Sequence, residues 1–83
     1  MKSLPLAALV LAFAATGAAA DDKGNCNKGI AFIEAQIAAK PADPVLKKLQ
    51  KALRDAKREL GEAEYDECMD AVRDAEKATG KKA

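Results

Sequence analysis

Apolar residues recur along the chain at helical spacing in three successive stretches, and nowhere do they alternate with polar ones as a half-buried strand requires. In the first stretch Cys26, Ile30, Ile33 and Ile37 lie four, three and four residues apart. That spacing places them on one face of a helix over about residues 25–39, with Asn25 suited to cap its free amides. Lys40, Pro41 and Ala42 interrupt the pattern. Asp43 followed by Pro44 is a strong helix start, since aspartate can accept from free N–H groups and proline fits the first turn without losing a needed donor. Leu46, Leu49, Leu53, Ala56 and Leu60 then mark a second helix over about 44–60, with the three-and-four spacing of a seam packed against near-parallel neighbours. Gly61 breaks the phase. Tyr65, Cys68, Val72 and Ala75 form the seam of a third helix over about 62–79, closed by Thr79 and Gly80.

Two topologies satisfy this pattern: a long kinked rod through Gly61, or an up-down-up three-helix bundle. The two cysteines choose between them. At about 1.5 Å per residue, Cys68 returns to the level of Cys26 only if the chain reverses at Gly61, and a disulfide needs α-carbons within about 7 Å. The expected fold is therefore all-α, a small bundle closed by one bridge, Cys26 to Cys68. Both cysteines fall on apolar seams, as a buried bridge would require.

The compartment follows from the first twenty residues, which stand apart from the rest. Lys2 is followed by an apolar stretch from Leu4 to Ala15 and then by Ala18, Ala19 and Ala20. This is the arrangement of a signal peptide, with small residues at Ala18 and Ala20 marking cleavage before Asp21. The apolar run is shorter than the roughly 20 residues a membrane-spanning helix needs. Cys26 is preceded by Asp22, Lys23, Gly24 and Asn25, which is not the setting of a lipid-anchored cysteine. We therefore expect residues 1–20 to be removed and residues 21–83 to form a single exported domain, in the bacterial periplasm or outside the cell. Export suits the disulfide, which persists in oxidising compartments. A domain this small gains little from its core and depends on such a link. Closing 43 residues constrains the unfolded chain by about 4 kcal/mol in the loop-entropy picture.

Charge then narrows the partners. The chain has 14 Lys and Arg against 13 Asp and Glu, and loss of Lys2 leaves residues 21–83 balanced. Nucleic-acid binding, which draws on an uncompensated basic surface, is not expected. The charges are nevertheless segregated. The second helix carries Lys47, Lys48, Lys51, Arg54, Lys57 and Arg58 against Asp55 and Glu59, and the third carries Glu62, Glu64, Asp66, Glu67, Asp70, Asp74 and Glu76 against Arg73 and Lys77. Complementary flanks of this kind set helix pairing and register, although each exposed ion pair contributes little. A basic amphipathic helix could also lie on anionic lipid, but this one lacks interfacial aromatic residues and has an acidic neighbour.

Catalysis has few means here. Residues 21–83 contain no serine and no histidine, so the usual nucleophile and general base are missing. Thr79 and the Tyr65 phenol are the only hydroxyls, and both cysteines are committed to the bridge. The cysteine spacing is not that of a redox C-x-x-C motif. No zinc or copper ligand set is present. Glu67, Asp70 and Asp74 share a face but cannot wrap a cation as a calcium loop does. We expect no enzyme, no cofactor and no dedicated metal site.

The remaining surface of interest is on the first helix, where Glu34 and Gln36 are the only polar side chains from Ile30 to Ala39. At 100° per residue Phe32, Ala35 and Ala39 point away from the cysteine and isoleucine seam. A bundle should leave them exposed, as a face for a protein partner or for self-association. No run of residues is specific enough to name a family. The reading is a small non-enzymatic interaction protein, with a stress-related role as one setting for it. The alternative is a weak divalent-cation or small-ligand binder using the acidic third helix.

Overall fold

The computed structural model describes side chains for residues 21–83, with backbone assigned from residue 3. The expected signal peptide at residues 1–20 lies outside the described residues. Three helices, α1 (Ser3–Ala38), α2 (Asp43–Gly61) and α3 (Tyr65–Thr79), make up the architecture, and no strand occurs among the described residues. Each helix packs against the other two. A disulfide joins Cys26 in α1 to Cys68 in α3 with α-carbons 5.8 Å apart.

The core explains why these segments associate. Cys26, Ile30 and Ile33 of α1 meet Leu49, Ala52 and Ala56 of α2 and Cys68, Ala71, Val72 and Ala75 of α3. All ten are buried, and no polar or charged side chain is buried with them among the described residues. Four of the ten are alanines, all on α2 and α3. Side chains this small let two helical backbones approach closely, so packing here comes from proximity more than from side-chain bulk.

The expected leucine seam of α2 is corrected by this arrangement. Leu49 and Ala56 are fully buried, but Leu46, Leu53 and Leu60 are only half-buried, and Ala52 takes the place between them. The alanine face of α2 turns inward, and Leu53 and Leu60 pack along the edge of the core. On α3 the expected residues do form the seam, with Tyr65 half-buried at its start and Ala71 added.

Helix boundaries also differ from the sequence pattern. Asn25 does not cap α1 but lies inside it. Asp43 does not cap α2. Ala42 occupies the cap position without a side-chain hydrogen bond, and Asp43 sits in the first turn, where its charge suits the positive helix end.

The α2–α3 turn is made by an unexpected residue. Gly61 stays helical, and Ala63 adopts the left-handed conformation with φ 59°. The Glu64 N–H donates to the Glu59 carbonyl at 2.8 Å and the Ala63 N–H to the Leu60 carbonyl at 3.1 Å. These are the two bonds of a Schellman motif, which satisfy carbonyls left free at a helix end. Only after this motif, at Tyr65 and not at Glu62, does α3 begin. The end of α1 is a truncated version. Lys40 is left-handed, with φ 55°, and its N–H donates to the Ile37 carbonyl at 3.0 Å. The second bond cannot form because Pro41 has no N–H. Gly80, with φ 72°, closes α3 as expected, its N–H donating to the Glu76 carbonyl at 2.8 Å.

Candidate functional site

The bridge positions everything else. Cys26 and Cys68 are both 0% exposed, so the link runs through the core and fixes the level of α1 against α3. One helical turn further, Gly29 is buried against Val72, and a β-carbon at Gly29 would overlap both Val72 methyl groups. Glycine is needed there because it lets the two backbones approach.

The α1 face singled out by sequence begins one turn further on. Phe32 lies three residues beyond Gly29, on a neighbouring part of the helix surface. It is half-buried and packs against the core instead of standing free in solvent. The expectation of a fully exposed ring is corrected. Ala35 and Ala39 are exposed, as are Ala31 and Ala38 beside them. The structure thus leaves an alanine-lined face on α1, with Phe32 at its edge. Nothing in the composition alone signalled the role of Gly29; the clue was a glycine placed one turn after a seam cysteine.

The charged flanks do not pair as expected. Among the described residues the only ion pair between helices is Lys57 of α2 with Glu34 of α1, at 3.3 Å. The others are internal to one helix: Lys51 to Asp55 at 2.7 Å, Arg58 to Asp55 at 3.4 Å and to Glu59 at 3.2 Å, and Arg73 to Asp70 at 2.6 Å. No ion pair joins α2 to α3 among the described residues. An open groove of about 310 Å³ runs between the two helices, with Ala52 and Ala78 at its base and Lys48, Lys51, Asp74 and Lys77 among the residues around it.

Two carboxyls sense these surroundings in opposite directions. Asp55 is held below its ordinary pKa, first by the hydrogen bond from Lys51, which outweighs the opposing effect of burial, and then by the positive charges of Lys51, Arg58 and Arg54. Glu67 is pushed above its ordinary pKa, first by Glu59 and then by Glu64, with burial, Asp70 and Glu62 adding to the effect. Carboxylates therefore crowd the α2–α3 turn around Glu67, with Arg58 paired to Glu59 beside them. Among the described residues no three His, Cys, Asp or Glu side chains are grouped to hold a metal ion. No described helix is long and apolar enough to cross a membrane. No known protein family, curated protein or solved structure matches the chain.

Proposed function

We propose that the protein is a small exported up-down-up helical bundle, freed of a signal peptide at residues 1–20, that works by binding another protein without catalysing a reaction. The observation that carries this reading is the distribution of polarity. Every charged side chain among the described residues lies outside an all-apolar core, so its chemistry is that of exposed helix faces. The α1 face at Ala31, Ala35 and Ala39 is the surface best suited to a partner, since small side chains allow a second helix to approach closely. The disulfide supports export to the periplasm or beyond.

Photo-crosslinking in the native host tests this, with the reactive residue at Ala35 and a control at Lys82. A discrete adduct at Ala35 alone is expected, and its mass identifies the partner. Equal or absent adducts at both positions would overturn the α1 reading. A second reading, weak binding of divalent cations, rests on the acidic residues of the third helix, although no three of them are grouped to hold an ion among the described residues. Millimolar calcium should then raise the melting temperature, and no shift would end it.

A further inference from the structure

Opposite charge is concentrated on α2 and α3, yet the two helices share no ion pair among the described residues. The reason lies in helical geometry. Counting 100° per residue from Leu49, which is fully buried, Lys47, Lys51 and Arg54 all fall within about 40° of the opposite side of α2. Counting likewise from the buried Val72, Glu67, Asp70 and Asp74 fall within about 40° of the opposite side of α3. All six are exposed. Each stripe is open to solvent, and the two do not pair with one another within the molecule. Lys51 and Asp74 do flank the α2–α3 groove, but no ion pair spans it.

We propose that the outward face of α2 of one molecule docks on the outward face of α3 of a second copy, the two helices running antiparallel. Register supports the orientation. Read backwards from Arg54, α2 presents Lys51 and Lys47 after steps of three and four residues. Read forwards from Glu67, α3 presents Asp70 and Asp74 after the same steps. Both stripes then change sign one turn further on, to Asp43 on α2 and Lys77 on α3. A parallel alignment would lose the matched spacing. The overall balance of charge over residues 21–83 agrees with a chain that supplies both halves of the contact. Glu67, crowded by Glu59 and Glu64, gains a cation it lacks within its own molecule.

The contact joins two different surfaces, so it is head-to-tail, and an open assembly keeps one free stripe of each sign, one at either end. Exposed ion pairs are individually weak, and so short a strip covers less than the roughly 1,200 Å² of a stable complex. The association is therefore weak and salt-sensitive, and separate from the α1 face.

Sedimentation of the purified protein at millimolar concentration tests the proposal, with its N-terminus read by mass spectrometry. Raising salt from about 0.01 M to about 1 M shortens the screening length from roughly 30 Å to 3 Å. Species larger than the monomer are expected at low salt and only monomer at high salt. Lys47→Gln with Arg54→Gln, and separately Glu67→Gln with Asp74→Asn, should each give a monomer at low salt. Mixed one to one, the two variants should form a dimer and nothing larger, because each retains one intact stripe. Circular dichroism checks that both fold. Monomer at every salt concentration, failure of the mixture to dimerise, or association surviving in either variant alone would overturn the proposal. Survival in both variants would instead point to the uncharged α1 face.

Discussion

Gly29 and Val72 meet so closely that no methyl group fits between α1 and α3: a β-carbon at position 29 would come within 2.8 Å of Val72 Cγ1. Gly29→Ala therefore sets two effects against each other. Alanine favours helix over glycine by about 1 kcal/mol, while forcing an extra carbon into a packed interface costs about 1–3 kcal/mol. The clash is with a branched, fully buried side chain that has little room to yield, so the cost prevails. Thermal unfolding should show a melting temperature several degrees lower. Gly24 is the control. It lies in the same helix with nothing within 4 Å of its absent β-carbon, and Gly24→Ala should leave stability unchanged or slightly raised.

Ala63 offers the opposite change. Its left-handed backbone is one that glycine adopts freely and a residue with a β-carbon adopts at a cost of about 1–2 kcal/mol. Ala63→Gly should raise stability by about 0.5–1 kcal/mol after the added freedom of the unfolded chain is subtracted. Denaturant titration checks this as a higher midpoint with unchanged slope.

The bridge between Cys26 and Cys68 closes a sequence separation of 42 residues. Its removal in a Cys26→Ala, Cys68→Ala variant should cost about 4 kcal/mol by loop entropy, with loss of packing from two fully buried positions added to it. A small domain has about 5–15 kcal/mol in total, so a large fall in melting temperature is expected by circular dichroism. In the unaltered protein the sulfur atoms are sealed in the core, and thiol reagents should reduce the bond at a rate limited by opening of the fold.

Stability should depend on pH through two groups of opposite sign. Glu67 has a raised pKa in the folded state, so its favourable contribution is fully present below the ordinary value of 4.5 and is lost as pH rises through the raised folded value. Asp55 has a lowered pKa, so its contribution is present above the ordinary value of 3.8 and is lost as pH falls through the lowered folded value. Glu67→Gln should raise the melting temperature at neutral pH, with the gain shrinking as acid protonates the wild-type side chain. Asp55→Asn should lower it at neutral pH and make no difference in strong acid.

The three helices and their bridge were legible because apolar periodicity and cysteine placement are local or nearly local signals. Cys26, Ile30, Ile33, Cys68, Val72 and Ala75 were read as inward-facing, and all are buried. Errors arose where one helix had to accommodate another. Leu53 and Leu60 outrank Ala52 in hydrophobicity, yet Ala52 is the residue inside, because helix separation and not transfer energy decides that position. Phe32 was placed in solvent by counting around an isolated helix, whereas in the bundle it packs against the core. The turn was assigned to Gly61 because the apolar phase breaks there, but the left-handed residue of the Schellman motif falls two residues later, at Ala63. The charged flanks of α2 and α3 were legible as composition, while their outward direction depended on which face the alanines had taken.

The alanines at positions 52, 56, 71 and 75 give the α2–α3 interface an asymmetric tolerance of mutation. Elsewhere in protein cores the commonest damage is loss of atoms, but these four positions have almost none to lose. Nearly every available substitution adds bulk and pushes the helices apart. The interface can therefore drift only by coordinated change, one side chain growing as its neighbour moves, which holds the spacing of the two helices fixed while their outer surfaces remain free to vary.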